Sequence, residues 1–298
     1  MWIQAQAVLY DTEPKAVFRM AEALANAVRV ARGSGAALER VSLSLGDASA
    51  QPMLTEAELE QLRACCAPWL ELSCRFFGFN SGFGRGQNLL AEGCGADYLL
   101  LMNPDILVEP RFFLSMLQPM EEPGVGLVEA RQTPVEHPKE YDPKSFETPW
   151  ASFACVLVRG SVWRQLNGLD ADSFFMYCED VDFSWRLRTL GYSIYYQPLA
   201  PVYHAKRLNA GGTWQPSDTE LYHSSLSALL LAHKWSAARR EKDLLLIYEE
   251  SDKAYYREAA AEFRRRKEAG ELPAPQKAGA GIARFTRDGY YCGNRFIL

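Results

Sequence analysis

A chain of 298 residues with 48% hydrophobic and 23% charged residues has the balance of a globular protein, long enough for one large domain or two small ones. Its formal net charge of -5 gives no basic footprint for nucleic acid, and no apolar run reaches the roughly 20 residues that span a bilayer. The 7 cysteines are scattered, odd in number and free of any CxxC pair, which argues against zinc and disulfides; with no leader-like start, a reduced, cytoplasmic setting is expected.

Ile3 to Tyr10 reads as a first strand, with Asp11 at its carboxyl end. Pro14 opens a helical pattern in which Ala16, Val17, Met20, Leu24, Ala27 and Val28 recur at helical spacing, closed by Gly33-Ser34-Gly35. Val41 to Leu45 alternates as a second strand and runs into Gly46-Asp47-Ala48-Ser49. Thr55 with Glu58 forms a capping-box signature for a helix from Glu56 to Cys66, and Leu70 to Phe76 is a third strand. This βαβαβ order predicts a parallel sheet with helical crossovers, a nucleotide-binding type of half.

Asn80 to Asn88 is glycine-rich, with Gly82, Gly84 and Gly86 at alternate positions, and reads as a loop leading into a helix from Gln87 to Cys94. Tyr98 to Met102 is an apolar run of the kind that forms a buried central strand, and it stops at Asn103-Pro104-Asp105. Ligands of open α/β sheets bind outside the carboxyl ends of strands, so a carboxylate there is placed to hold a divalent ion against a diphosphate. Phe112 to Met120 predicts a helix, Val125 to Val128 a short strand, Arg131 to Pro149 a proline-rich loop, Trp150 to Val158 a strand and Arg159 to Leu166 a short helix.

From Ser173 to Tyr196 the chain reads SFFMYCEDVDFSWRLRTLGYSIYY, the densest local signal. Glu179, Asp180 and Asp182 crowd one helix start beside an apolar run, and crowded carboxylates repel, so at least one pKa rises. Such a carboxylate is what a general base requires, while an acidic first turn that favours the helix dipole is the plainer reading. Val202-Tyr203-His204 ends the last strand-like run. Leu221 to Trp235 is an amphipathic helix, which leaves core packing, a homodimer interface and peripheral membrane contact all open. Glu249 to Glu268 reads as one charged helix ending in Arg264 to Lys267, a solvated face or a contact with anionic headgroups. Leu272 to Gly281 reads as a linker, and Ile282 to Leu298 is expected to fold back onto the body.

The strand ending in Asn103-Pro104-Asp105 resembles the variant DxD motif of GT-A glycosyltransferases, and FFMYCEDVDFSWRLRTLGY resembles the ED motif of their large inverting family 2, above all its bacterial rhamnosyltransferase-like members, which build O-antigen and other surface polysaccharides. The resemblance runs from about Val8 to His204. It implies an α/β GT-A (Rossmann-like) fold: a mixed, mainly parallel sheet flanked by helices. It implies a catalytic domain over 1–215, with a nucleotide-sugar half to about 105 and an acceptor half beyond, followed by a helical C-terminal extension over 216–298. For the donor it implies Tyr10, Asp11, Asp47, Asn80, Gly82, Gly84, Asn88, Asn103 and Asp105. Asp105 and His204 would hold Mg2+ or Mn2+; Asp180 would be the base, with Glu179 its alternate or supporting partner, and Asp182 a cap or brace of the helix.

The implied partners are a nucleotide-sugar donor and a glycan or lipid-linked glycan acceptor. The sequence departs from the pattern at Asp11 and Ala48, where Asn is customary, at Arg85, where a small residue is, and at Ala154, where Gly is. Asn209 to Thr213 would be a lid over the donor. Nucleotidyl transfer is a competing class, but residues 1–15 lack its Gly-rich Lys/Arg signature; a silent binding subunit would not need the three carboxylates Asp105, Glu179 and Asp180.

Overall fold

The computed structural model describes residues 1–137, 139–205, 215–277, 279, 281–286 and 291–293. The predicted first half is present: β1 (Trp2–Leu9), α1 (Pro14–Gly33), β2 (Arg40–Asp47), α2 (Glu56–Cys66), β3 (Glu71–Phe76), α3 (Gly82–Ala91) and β4 (Tyr98–Met102). Then follow β5 (Ile106–Val108), α4 (Phe112–Leu117) with a short 3-10 turn, β6 (Val125–Thr133), β7 (Cys155–Arg159), α5 (Gly160–Gln165), α6 (Glu179–Thr189) and β8 (Ser193–His204). Three helices close the described chain: α7 (Asp218–Lys234), α8 (Ala238–Glu249) and α9 (Ala254–Ala269). None of the described helices is long and apolar enough to cross a membrane.

The strands form one sheet in the order β3-β2-β1-β4-β7-β6-β8-β5. The pairings β3-β2, β2-β1, β1-β4 and β6-β8 are parallel, whereas β7 runs antiparallel to both neighbours and β5 antiparallel to β8. The sheet is therefore mixed and mainly parallel. Its carboxyl edge gathers the ends of β1, β2 and β4, and because β7 is reversed its amino end arrives at that same edge, with Cys155 paired to Met102. One apolar cluster joins the sheet to α1, α2 and α4, and a second joins its other face to α5 and α6. A third holds Trp150, Phe174, Val181 and Trp185 together with the inner faces of α7, α8 and α9 and with Cys292. Part of the final segment does fold back: Phe285 and Tyr291 both pack edge-on against Trp185.

Several boundaries differ from expectation. Helix α3 begins at Gly82, not Gln87, so the glycine run is helical. Glycine disfavours a helix interior, but here close packing decides. A Cβ on Gly86 would stand 2.6 Å from Val8 and 2.8 Å from the Ser81 hydroxyl. We expect Gly86→Ala to lose about 1–3 kcal/mol by overpacking, although helix propensity alone favours Ala. A urea midpoint that rises on this change would contradict the close approach of α3 to β1.

Strand β7 starts at Cys155, not Trp150, because residues 151–154 turn their amides toward side chains instead of a ladder: Ala151 N–H donates to Ser184 Oγ at 3.1 Å. Strand β6 extends to Thr133, past the expected Val128, and pairs with β8 through a bulge. The charged helix expected from Glu249 to Glu268 is α9, which starts later, at Ala254; an additional helix, α8, precedes it, and the chain breaks after Glu250 between the two. Tyr248 and Tyr256 stack across that break with centroids 4.6 Å apart. The basic end of α9 is internally neutralised: Arg264 meets Glu249, Arg265 meets Glu262 and Glu271, Arg266 meets Glu262, and Lys267 meets Glu241. That pattern favours the solvated-face reading over a headgroup contact.

Candidate active site

Beyond β4 the chain turns through Asn103-Pro104-Asp105 into β5, whose pairing with β8 sets Ile106 opposite His204. That register brings His204 Nε2 to 3.4 Å from Asp105 Oδ1. On the ring's other side Nδ1 lies 2.9 Å from Gln132 Oε1, while Gln132 Nε2 donates to Ser152 Oγ at 3.3 Å. Gln132 thereby fixes the orientation of the ring, with Nε2 turned toward Asp105 and Asn103. Asn103 Nδ2 stands 3.4 Å from that nitrogen. His204 is buried and Asp105 is partly exposed. A carboxylate and an imidazole nitrogen, side by side at the sheet's carboxyl edge, suit a divalent ion that keeps further positions for phosphate oxygens. Among the described residues no cluster of three or more His, Cys, Asp and Glu forms a closed metal cage.

The second group sits at the start of α6. Tyr177 and Cys178 both adopt left-handed conformations, with φ of 70° and 64°. Non-glycine residues adopt these at a cost of order 1–3 kcal/mol each, so the surroundings must enforce them. Tyr177 OH donates to Glu220 Oε1 at 3.4 Å, Cys178 Sγ lies 3.1 Å from Tyr291 OH, and Ser227 Oγ donates to the Met176 carbonyl at 2.9 Å. The C-terminal helices and tail thus clamp the turn that presents Glu179 and Asp180.

The two carboxyls are driven apart electrostatically. Glu179 is only 6% exposed, and its Oε2 has no hydrogen-bond partner among the described residues. Burial, and then the neighbouring Asp180, push it well above the usual carboxylate range. Burial also raises Asp180, but N–H groups of Val181 and Phe153 and the charge of Lys139 hold it to about 6. Asp180 is therefore a carboxylate at neutral pH, while its neighbour Glu179 is pushed toward its protonated form: adjacent groups with different proton affinities.

Asp182 is fully buried and committed elsewhere, as the brace expected of it. Its oxygens meet Arg186 Nε at 2.7 Å, Lys234 Nζ at 2.7 Å and Trp235 Nε1 at 3.0 Å.

The turn at 152–154 connects both groups. Ala154 C=O accepts from Asn103 N–H at 2.9 Å, Phe153 N–H donates to Asp180, and Ser152 N–H donates to Glu129 Oε1 at 3.0 Å. Gln132, Ser152, Glu129 and Lys139 were not singled out from the sequence. For Glu129 a signal exists: a carboxylate inside the buried run Val125–Ala130 must find a partner.

The donor-side residues line the same edge with different commitments. Tyr10 is 53% exposed just past β1, and Asp11, at φ 46°, donates its backbone N–H to Ser49 Oγ at 3.1 Å. Asp47 is buried at the end of β2, where its oxygens accept from Ser49 N–H at 3.0 Å and Met53 N–H at 2.6 Å, holding the loop after β2. Asn80 Oδ1 accepts from Gly82 N–H at 3.1 Å; Gly82 has a positive φ and lies against the Phe175 carbonyl, where no side chain fits. Gly84 lies against Leu169 and Ala171. Asn88 clamps the backbone of Leu169, donating to its C=O at 2.8 Å and accepting from its N–H at 2.9 Å. Arg85 lies over the Phe79 ring. The segment Asn209 to Thr213 lies outside the described residues.

The chain is similar to the N-acetylglucosaminyl-diphospho-decaprenol L-rhamnosyltransferase of Mycobacterium tuberculosis (strain ATCC 25618 / H37Rv), with 35% identity over 95 residues, 32% of this chain and 30% of that one. It is also similar to rhamnosyltransferase WbbL of Escherichia coli (strain K12), with 26% identity over 161 residues, 42% of this chain and 60% of that one. It thus spans less than two-thirds of the length of either relative. No protein-family model matches the chain. Among solved structures it is similar to the mannosyltransferase PcManGT from Pyrobaculum calidifontis in complex with GDP-Man and Mn2+, with a TM-score of 0.57 at 16% identity over 90% of this chain and 75% of that one. The fold is GT-A. The expected fold class therefore holds, and the sequence relatives are rhamnosyltransferases. In this GT-A chain the Asn-Pro-Asp turn and the start of α6 lie on either side of the 152–154 turn.

Proposed function

We propose that this chain is a glycosyltransferase that moves a sugar, rhamnose by the likeness to its sequence relatives, from a nucleoside-diphosphate donor to an acceptor hydroxyl with inversion. The observation that carries the reading is the convergence of Asp105–His204 and of Asp180 on the single turn 152–154. Residues 1–215 are the proposed catalytic unit and 216–298 its helical extension. The acceptor is proposed to be a glycan carried on a lipid diphosphate, after the printed name of one relative.

Asp105 and the Nε2 of His204 would hold Mg2+ or Mn2+, which when bound neutralises charge on the diphosphate. Gln132 holds the imidazole with Nε2 toward Asp105. Tyr10, Asp11, Asn80, Gly82 and Gly84 would meet the nucleotide, with Asp47 and Asn88 shaping their loops. Asp180 receives the proton of the acceptor hydroxyl as its oxygen forms the new glycosidic bond and the bond from the anomeric carbon to the diphosphate breaks. Glu179, pushed by burial toward its protonated form, offers a hydrogen bond beside it.

A thermal-shift screen of dTDP, UDP, GDP and CDP, each with and without Mn2+, tests the donor half. A nucleotide at 100 times its Kd adds about 2.7 kcal/mol. One nucleotide is expected to raise Tm in a Mn2+-dependent way, and Asp105→Ala to abolish that dependence. No shift with any of the four would overturn the donor site and favour a silent binding protein.

A further inference from the structure

A second buried ion pair lies beside the proposed base, and the transfer as set out above leaves it without a part. Glu129 belongs to β6 and Lys139 to the loop that follows. Lys139 Nζ is 2.6 Å from Glu129 Oε1 and 4.6 Å from the centroid of the Trp150 ring, and both side chains are buried. The peptide N–H of Ser152 donates to Glu129 at 3.0 Å, the preceding N–H, that of Ala151, donates to Ser184 Oγ at 3.1 Å, one helical turn beyond Asp180 on α6, and the following N–H, that of Phe153, faces Asp180. Consecutive amides of one turn thus set Glu129 and the Asp180 face of α6 side by side, with one ammonium between β6 and the loop.

A buried ion pair is a weak source of stability, since apolar residues of like volume often replace it without loss. Its position next to a titrating group is the informative feature. Four other titratable groups face Asp180. Burial pushes Glu179, on the same helix, toward its neutral form. The charge of Asp182 is matched by Arg186 and Lys234. Burial pushes both the Cys178 thiol and the Tyr291 phenol up, so they stay neutral as well. Glu129 and Lys139 remain, with opposite signs, and they act on Asp180 in opposite directions.

We infer that Lys139, fixed by Glu129 and the 152–153 peptides, is a positioning residue that keeps Asp180 ionised to receive the acceptor proton; the inference rests on Asp180 being the base. A purely structural pair and an electrostatic one make different forecasts. If the pair only fills space, removing either member perturbs Asp180 in the same way or not at all. If its charges act, Lys139→Met and Glu129→Gln move the Asp180 midpoint in opposite directions, and the double variant returns near the parent value.

The test is a carbon-13 NMR titration of the full chain labelled at aspartate side-chain carboxyls, with the Asp180 signal assigned by its loss in Asp180→Asn. The parent midpoint is expected at about 6. Lys139→Met is expected to raise it by about one unit, Glu129→Gln to lower it, and Lys139→Arg to leave it in place. Lys139→Arg and Glu129→Gln keep the charge count or shape of the pair, so the test survives if Lys139→Met does not fold. Coincident midpoints, or shifts of one sign, overturn the role of Lys139 while Asp180 can still be the base. Normal turnover in Asp180→Asn instead overturns the base itself, whatever the titration gives.

Discussion

Replacing Asp180 by Asn is expected to cut turnover by about 10²- to 10⁴-fold, the range over which a positioned base contributes, while the Mn2+-dependent nucleotide shift persists. The two carboxyls at the start of α6 are not equivalent. Glu179 is pushed well above the usual carboxylate range by burial and by its neighbour, whereas Asp180 titrates at about 6, supported by the Val181 and Phe153 amides and by Lys139. Only the ionised form accepts a proton, so turnover in the parent is expected to rise with pH through about 6 and to be lost below it. The sign for stability is the reverse. A carboxyl whose folded pKa stands above its ordinary value binds its proton more tightly when folded, so the folded state is favoured as pH falls through that value. Asn removes the charge that burial penalises, and the variant is expected to melt no lower than the parent. Turnover and Tm measured on the same preparation therefore separate lost chemistry from lost fold. Parent-like turnover in Asp180→Asn would falsify the assignment.

The largest expected loss of stability comes from Lys234→Ala. Lys234 is buried at the end of α7, with its ammonium 2.6 Å from Asp170 Oδ2 and 2.7 Å from Asp182 Oδ1. Asp182 in turn binds Arg186, whose guanidinium also donates to the Leu166 and Gly168 carbonyls. Removing one partner of a buried pair leaves charge uncompensated, a cost of about 3–5 kcal/mol. Whole domains are stable by about 5–15 kcal/mol, so the urea midpoint should fall far. Burial alone would raise Asp170, yet hydrogen bonds from Lys234 and Ser173 hold it below its usual range. Its contribution is therefore present above the ordinary carboxylate pKa and lost as pH falls through the lower folded value. Arg264→Ala, which breaks an exposed pair, is the control and should cost less than about 1 kcal/mol. Equal effects from the two variants would sink the view that Lys234 ties α7 to α6.

The network also explains what a local reading could and could not see. Asp182 reads as a helix brace from its place in an acidic first turn. That its main partner lies 52 positions on, in a different helix, follows only from how α7 packs on α6. Likewise Leu221 to Trp235 shows an apolar stripe, but stripes carry no address. The structure buries Leu226, Leu229, Leu230 and Trp235 against Trp150, Phe174 and Trp185, which is the core-packing outcome among the three left open.

By itself the sequence determined the elements whose signal is local: β1, α1, β2, the Thr55–Glu58 capping box of α2, β4 with its Asn-Pro-Asp stop, and the acidic start of α6. Period, caps and breakers depend on neighbours a few residues apart, so one strand of text carries them. Only the tertiary structure decided that the glycines of α3 are helical, since their use lies in contacts with Val8 and Phe175 far along the chain. It alone set His204 beside Asp105, through the β5–β8 register, and oriented the imidazole through Gln132. It alone made Asp180 and Glu179 differ, because burial and the charges of Lys139 and Glu129 arrive from other elements. Proton affinity is set by what surrounds a carboxyl in space, and adjacent residues with similar chemistry read alike until the fold gives each its own surroundings.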